Sequence, residues 1–279
     1  MSSSKKINKL LVVSITINIC FAIVFSVGAY YKRDSIINII RPYFYSSSNL
    51  EQNIAVMNPE PYIGKQEYIN VTNSKNEITI LVLGNSISLH GIVDGLWNYE
   101  SGMAASSKEK DYVHVLVENI SRTKKVGIKY TIVNIADFER NFVSFDFDRL
   151  TSLKSINPQY IIFQIGENVS SAEITKHSDL FKQKYVSLIN SFDNATKIVC
   201  LPFWPDINKQ VAITEVAIQT KSFIVDLSHL GNGIDEQNLA KSENKYSHQG
   251  VAAHPGDYGM NNIAMNIFSV FNAIISENN

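Results

Sequence analysis

The sequence is poor in several features that would assign a protein to a class at once. It has only two cysteines, Cys20 and Cys200. Cys20 falls inside an apolar N-terminal run and Cys200 in a buried-strand pattern, Lys-Ile-Val-Cys-Leu-Pro. The two are expected to lie far apart, so no disulfide framework is drawn. A phosphate-cradling loop is also missing, because Gly84 is followed by no second or third glycine at the required spacing. His248 and His254 stand six residues apart, but no cysteine or carboxylate spacing completes a metal set. Neither a metal nor a cofactor is expected. The formal net charge of −1 conceals a lack of positive charge beyond the N-terminus. Residues 1–41 hold six basic side chains and one acid, which leaves 19 basic against 25 acidic residues in the remainder, a balance of −6. An acidic domain has little to offer a phosphate backbone, and nucleic acid is set aside as a partner. There is no internal repeat, and low complexity is confined to residues 42–75.

What is present begins with a membrane-like segment. Residues 10–31 form 22 uncharged positions, rich in Val, Ile and Leu. That is long enough to cross a hydrocarbon core of roughly 30 Å. Tyr30-Tyr31 followed by Lys32-Arg33 reads as an interfacial belt. A cleaved signal peptide is the competing reading, with Val27-Gly28-Ala29 as a small-residue site, but the apolar run exceeds the usual signal core. An uncleaved single-pass anchor is therefore expected, with residues 1–9 cytoplasmic and residues 32–76 as tether and entry segment. Lys5, Lys6 and Lys9 favour a cytoplasmic N-terminus, against the pull of Lys32 and Arg33. This reading puts the protein in the cytoplasmic membrane with its domain, residues 77–279, on the extracytoplasmic side.

From residue 77 short β-rich runs alternate with helical stretches. Strands are expected at Ile78–Leu83, Tyr130–Asn134, Tyr160–Ile165, Lys197–Leu201 and Phe223–Asp226. They are nearly continuous apolar runs, the pattern of parallel strands covered on both faces. Helices are expected near 108–123, 176–192, 207–220 and 257–276. The order predicts an α/β fold: a three-layer α/β/α sandwich with a doubly wound, mainly parallel five-stranded sheet. Ligands of such folds sit beyond the carboxyl ends of the strands, so the residues that follow strands matter most.

The first strand runs into Gly84-Asn85-Ser86-Ile87-Ser88, where a serine could project from a tight turn as a nucleophile. The third ends in Gly166-Glu167-Asn168, whose amide could donate to a developing oxyanion. Near the C-terminus His254-Pro255 precedes a helix, with Asp257 as its expected N-cap. Several neighbours stay undecided between site and structure: His90 and Asp94, Glu139-Arg140, and Phe203-Trp204.

Taken together, these blocks resemble the SGNH (GDSL-like) hydrolase family over about residues 77–276. Gly84-Asn85-Ser86-Ile87-Ser88 resembles its first block, Gly166-Glu167-Asn168 its third, and His254-Pro255 its last. The second block normally supplies a glycine amide, for which Gly102 is the best match. The resemblance implies Ser86 as nucleophile, His254 as general base, and Ser86, Gly102 and Asn168 as oxyanion donors. It implies a serine esterase or deacylase acting on O-acyl esters. Membrane anchoring joined to the family analogy points to the esters of a cell-surface carbohydrate or a related small molecule.

The chain also departs from the family. Where an acid usually stands three residues before the histidine, this sequence has Val251, and Asn85 replaces the acid of the first block. Three readings of Val251 remain open. The site is a Ser-His dyad oriented by a carbonyl or water, or it borrows an acid from Glu243, Asp226 or Glu167, or it has lost catalysis. The functional alternatives are accordingly an O-acyltransferase using the same serine and an inactive, membrane-tethered binding domain.

Overall fold

The computed structural model describes residues 61–233 and 236–277. The apolar run at 10–31 lies outside the described residues. Among the described residues no helix is long and apolar enough to cross a membrane.

Among the described residues seven strands form one sheet. They are β1 (Tyr62–Ile63), β2 (Glu67–Ile69), β3 (Glu77–Gly84), β4 (Gly127–Asn134), β5 (Tyr160–Gln164), β6 (Thr196–Cys200) and β7 (Phe223–Val225). The five expected strands are β3 to β7, and they pair in parallel in the spatial order β4-β3-β5-β6-β7. The expectation of five strands falls short by two. Residues 62–69, read from sequence as tether, run antiparallel along the outer edge of β4 as β1 and β2. Their contribution is edge protection: they occupy backbone groups that β4 would otherwise leave open to another chain.

Among the described residues there are seven α-helical segments: α1 (Tyr112–Lys124), α2 (Ala136–Asn141), α3 (Thr151–Lys154), α4 (Ser171–Asn190), α5 (Ile207–Gln219), α6 (Gln249–Ala252) and α7 (Asp257–Glu277). Side chains alternate across the central strand. Ile80 and Val82 face one layer, with Val113, Leu116, Val117 and Ile120 of α1 and Met260, Ile263, Ile267 and Phe271 of α7. Leu81 and Leu83 face the other, with Phe181, Tyr185 and Leu188 of α4 and Ile213 and Val216 of α5. The helix positions follow the three-and-four spacing of one buried stripe. Each such buried side chain is worth about 1.5–3 kcal/mol of transfer free energy.

The strand order fixes where a site can form. The chain steps from β3 outward to β4, then crosses back to β5 on the opposite side of β3. Connections leave β3 and β5 in opposite directions, and a crevice opens between their carboxyl ends. Ser86 follows β3 and Asn168 follows β5, so the topology brings both to that crevice.

Candidate active site

The turn after β3 is held by its own backbone and by Asn85. The Asn85 carbonyl accepts from Ser88 N and Leu89 N at 2.9 and 3.0 Å, and Asn85 Oδ1 accepts from Ile87 N at 3.1 Å. Gly84 is needed for space rather than for an unusual φ: a Cβ there would overlap the Ser88 hydroxyl. Ser86 is 5% exposed at the head of this turn.

His254 arrives from the far end of the chain. Its carbonyl accepts from Ala240 N at 2.9 Å, which pins the loop before α7. Ser86 Oγ lies 3.0 Å from His254 Nε2. On the other side of the ring, Nδ1 lies 2.8 Å from the Gly250 carbonyl oxygen. A carbonyl only accepts, so this contact places the proton on Nδ1 and leaves Nε2 able to take the serine proton. Trp204 packs edge-on against the imidazole, ring centroids 5.5 Å apart and planes at 88°.

Val251 does not stand empty where the family has an acid. It is fully buried in an apolar cluster with Trp97, Met103, Ala104 and Ala240. The three candidate replacement acids are engaged elsewhere. Asp226 Oδ1 accepts from Ser228 N and Oγ, Glu243 pairs with Lys245 at 2.8 Å, and Glu167 belongs to the network beneath Ser86. Asp257 does not cap α7 as expected. It is the helix's first residue, and its carboxylate accepts from Ser106 N and Oγ at 2.7 and 2.6 Å and from Lys110 and Lys245. Burial opposes ionisation of Asp257, but these donors outweigh it and hold its carboxyl well below the usual range.

The three expected oxyanion donors are not equally placed. Asn168 stands beside the crevice with its amide oriented from both ends. Arg140 donates to Oδ1 at 3.3 Å, and Nδ2 donates to Glu139 Oε2 at 2.6 Å. Gly102 departs from its expected role, because its N–H donates to the buried carboxylate of Asp111 at 3.2 Å. Its lack of a side chain has a packing cause: a Cβ would run into the Ile87 carbonyl and approach Asp111 and Met260. Gly102 nevertheless stays close to the nucleophile, since Met103 N donates to the Ser86 carbonyl at 2.8 Å.

Comparison with known proteins adds a likeness in fold. No protein-family model and no curated protein matches the chain. Among solved structures, a psychrotrophic esterase from Pseudoalteromonas sp. superposes with a TM-score of 0.49 at 13% identity, covering 71% of this chain and 98% of that one. A lipase/acylhydrolase from Enterococcus faecalis gives 0.48 at 15% identity, covering 69% and 94%. A family 3 carbohydrate esterase from Clostridium thermocellum gives 0.47 at 15% identity, covering 72% and 98%.

Beneath Ser86 lies a buried polar network that the sequence shows only in part. Asn85 Nδ2 donates to Glu167 Oε2 at 2.7 Å and reaches Glu139 Oε1 at 3.2 Å. Glu167 Oε1 accepts from Gln164 Nε2 at 2.6 Å and from Phe203 N at 2.9 Å. Gln164 Oε1 in turn accepts from Ser88 Oγ, which shares a hydrogen bond with Tyr112. Burial, then repulsion from Glu139, pushes the Glu167 carboxyl up to about 7, against the pull of its N–H partners. Glu139 and Gln164 are the residues that reading strand ends underrates. The available signal was a polar residue closing an apolar strand, and a carboxylate soon after another.

The remaining neighbours sort readily. His248 Nδ1 accepts from Gly250 N at 3.1 Å and so caps α6. His90 is buried with Nδ1 against the Gly91 carbonyl, while Asp94 is exposed. Among the described residues no cluster of three or more His, Cys, Asp or Glu side chains could hold a metal ion.

Proposed function

We propose that this protein is a carboxylic ester hydrolase that uses a Ser86-His254 dyad. One observation carries the reading: Nε2 of His254 is 3.0 Å from Ser86 Oγ while Nδ1 is anchored 2.8 Å from the Gly250 carbonyl. That is a nucleophile–base pair with its third group supplied by backbone. Ser86 Oγ attacks the acyl carbonyl and its proton passes to Nε2. The tetrahedral oxyanion that forms is held by Asn168 Nδ2 and the Ser86 N–H. Collapse breaks the bond to the leaving oxygen, which takes the proton from Nε2. Water then repeats the sequence on the acyl-enzyme, with His254 again as base. A carbonyl fixes the tautomer as a carboxylate does, but it offsets the imidazolium charge less.

The substrate class belongs to the same proposal. O-acyl esters of a cell-surface carbohydrate suit a site held at a membrane by the uncharged run at residues 10–31. The test uses a fluorophosphonate probe and p-nitrophenyl acetate on the full chain. Wild type is expected to label, and Ser86→Ala and His254→Ala each to lose roughly 10⁴-fold or more of turnover, because the pair acts as a unit. Absence of Ser86-dependent labelling would sink the enzymatic reading in favour of a binding domain. If turnover rises on adding a sugar acceptor and acylated sugar accumulates, the protein is an O-acyltransferase instead.

A further inference from the structure

We propose that Glu139 is a positioning residue that sets the orientation of Asn168 for catalysis; the inference rests on the Ser86 esterase reading above. Glu139 is 1% exposed, on the short helix α2 that follows β4. Its carboxylate reaches across to the segment after β5 and accepts there from three N–H groups: Gly166 N at 2.5 Å, Asn168 N at 3.4 Å and Asn168 Nδ2 at 2.6 Å. It also accepts from Asn85 Nδ2, one residue before the nucleophile. One side chain thus ties the turn that carries Ser86 to the turn that carries Asn168.

The tie decides which end of the Asn168 amide can serve. With Arg140 on Oδ1 and Glu139 on Nδ2, each end meets its complement. A flipped amide would set its carbonyl against a carboxylate and its NH₂ against a guanidinium, and both contacts would be lost. Glu139 uses one Nδ2 hydrogen, and the second remains for the oxyanion. The carboxylate's own charge opposes a developing oxyanion, and the neighbouring Arg140 offsets it. What Glu139 contributes is geometry, made rigid because Gly166 also needs its glycine. That residue has φ +139°, and a Cβ would press on Pro202 and Ile213.

A double-mutant cycle tests this on the full chain, with kcat for p-nitrophenyl acetate expressed per Ser86 labelled at completion. Glu139→Ala is expected to lower kcat about 100-fold with KM within about threefold, the pattern of a lost transition-state donor. Asn168→Ala should lose a similar amount, and the double variant should fall no more than about threefold below Asn168→Ala. Losses that multiply, or a Glu139→Ala enzyme with wild-type kcat, would overturn the inference while leaving the esterase reading intact. Absence of Ser86-dependent turnover in wild type would overturn both. If Glu139→Ala does not fold, Glu139→Gln replaces it. Gln has one acceptor where the carboxylate has two, and its loss, about tenfold, should vanish in the Asn168→Ala background. A loss that persists there overturns the inference.

Discussion

Asn85 sits between two carboxyl groups, the half-buried Glu167 and the buried Glu139, and donates to both at 2.7 and 3.2 Å. An aspartate there would set a third carboxyl beside two others where an amide supplies hydrogen bonds to both. The same reasoning applies to Val251. Placing an acid there would not complete a triad, because the valine belongs to the apolar cluster of Trp97, Met103 and Ala240 and the Gly250 carbonyl already holds Nδ1. Val251→Asp is expected to cost about 3 kcal/mol or more through a buried, uncompensated carboxyl. In a domain of this size that is roughly 6–12 °C of Tm, with no gain in kcat. Calorimetry and p-nitrophenyl acetate turnover check it, and a stable variant with raised kcat would show that the cluster can accept an acid beside His254. Ser86, Asn168 and His254 were legible because each follows or precedes an element in a short readable block. Glu139 was not, because its partners Asn85 and Asn168 lie 54 and 29 residues away, and only the sheet crossing brings them together.

Elements were more legible than their edges. The strands β3 to β7 and the helices α1, α4, α5 and α7 announce themselves by apolar period. The strands β1 and β2 span two and three residues, too short for any alternation to show. They exist because β4 offers them a free edge, which no local pattern records. Helix ends depend on side chains one residue beyond the period. Asp111 caps α1 by accepting from His114 N at 2.9 Å, and the same carboxylate holds Gly102 N. At the other end of α1 Lys125 adopts φ 55°, the left-handed conformation that glycine enters freely, and it is exposed. Lys125→Gly is expected to stabilise the domain by about 0.5–1 kcal/mol, since the relief of left-handed strain exceeds the added chain entropy. Urea unfolding should show a higher midpoint at unchanged slope. A lower midpoint would mean that the lysine side chain contributes more than its backbone costs.

At the scale of the molecule, the site lies where the two apolar layers meet the carboxyl ends of the sheet, over a polar seam built around Glu139 and Glu167. Such a seam makes stability depend on pH, and Glu167 sets the sign. Its carboxyl is pushed from an ordinary 4.5 up to about 7 by burial and by Glu139. Between those values the folded chain holds a proton that the unfolded chain releases. Stability from this group is therefore complete below about pH 4.5 and is lost as pH rises through about 7. Its size is on the order of 2–3 kcal/mol at most, because each tenfold change in proton affinity is worth about 1.4 kcal/mol and solvent reaches part of the side chain. Unfolding by urea, followed from pH 4.5 to pH 8 in wild type and Glu167→Gln, isolates the contribution, since Gln cannot titrate. Wild type should lose stability relative to Glu167→Gln across that interval, and the difference between the two curves should level off above pH 8. A constant difference would mean that Glu167 is ionised throughout, with Asn85, Gln164 and the Phe203 amide sufficient to hold two carboxylates charged side by side.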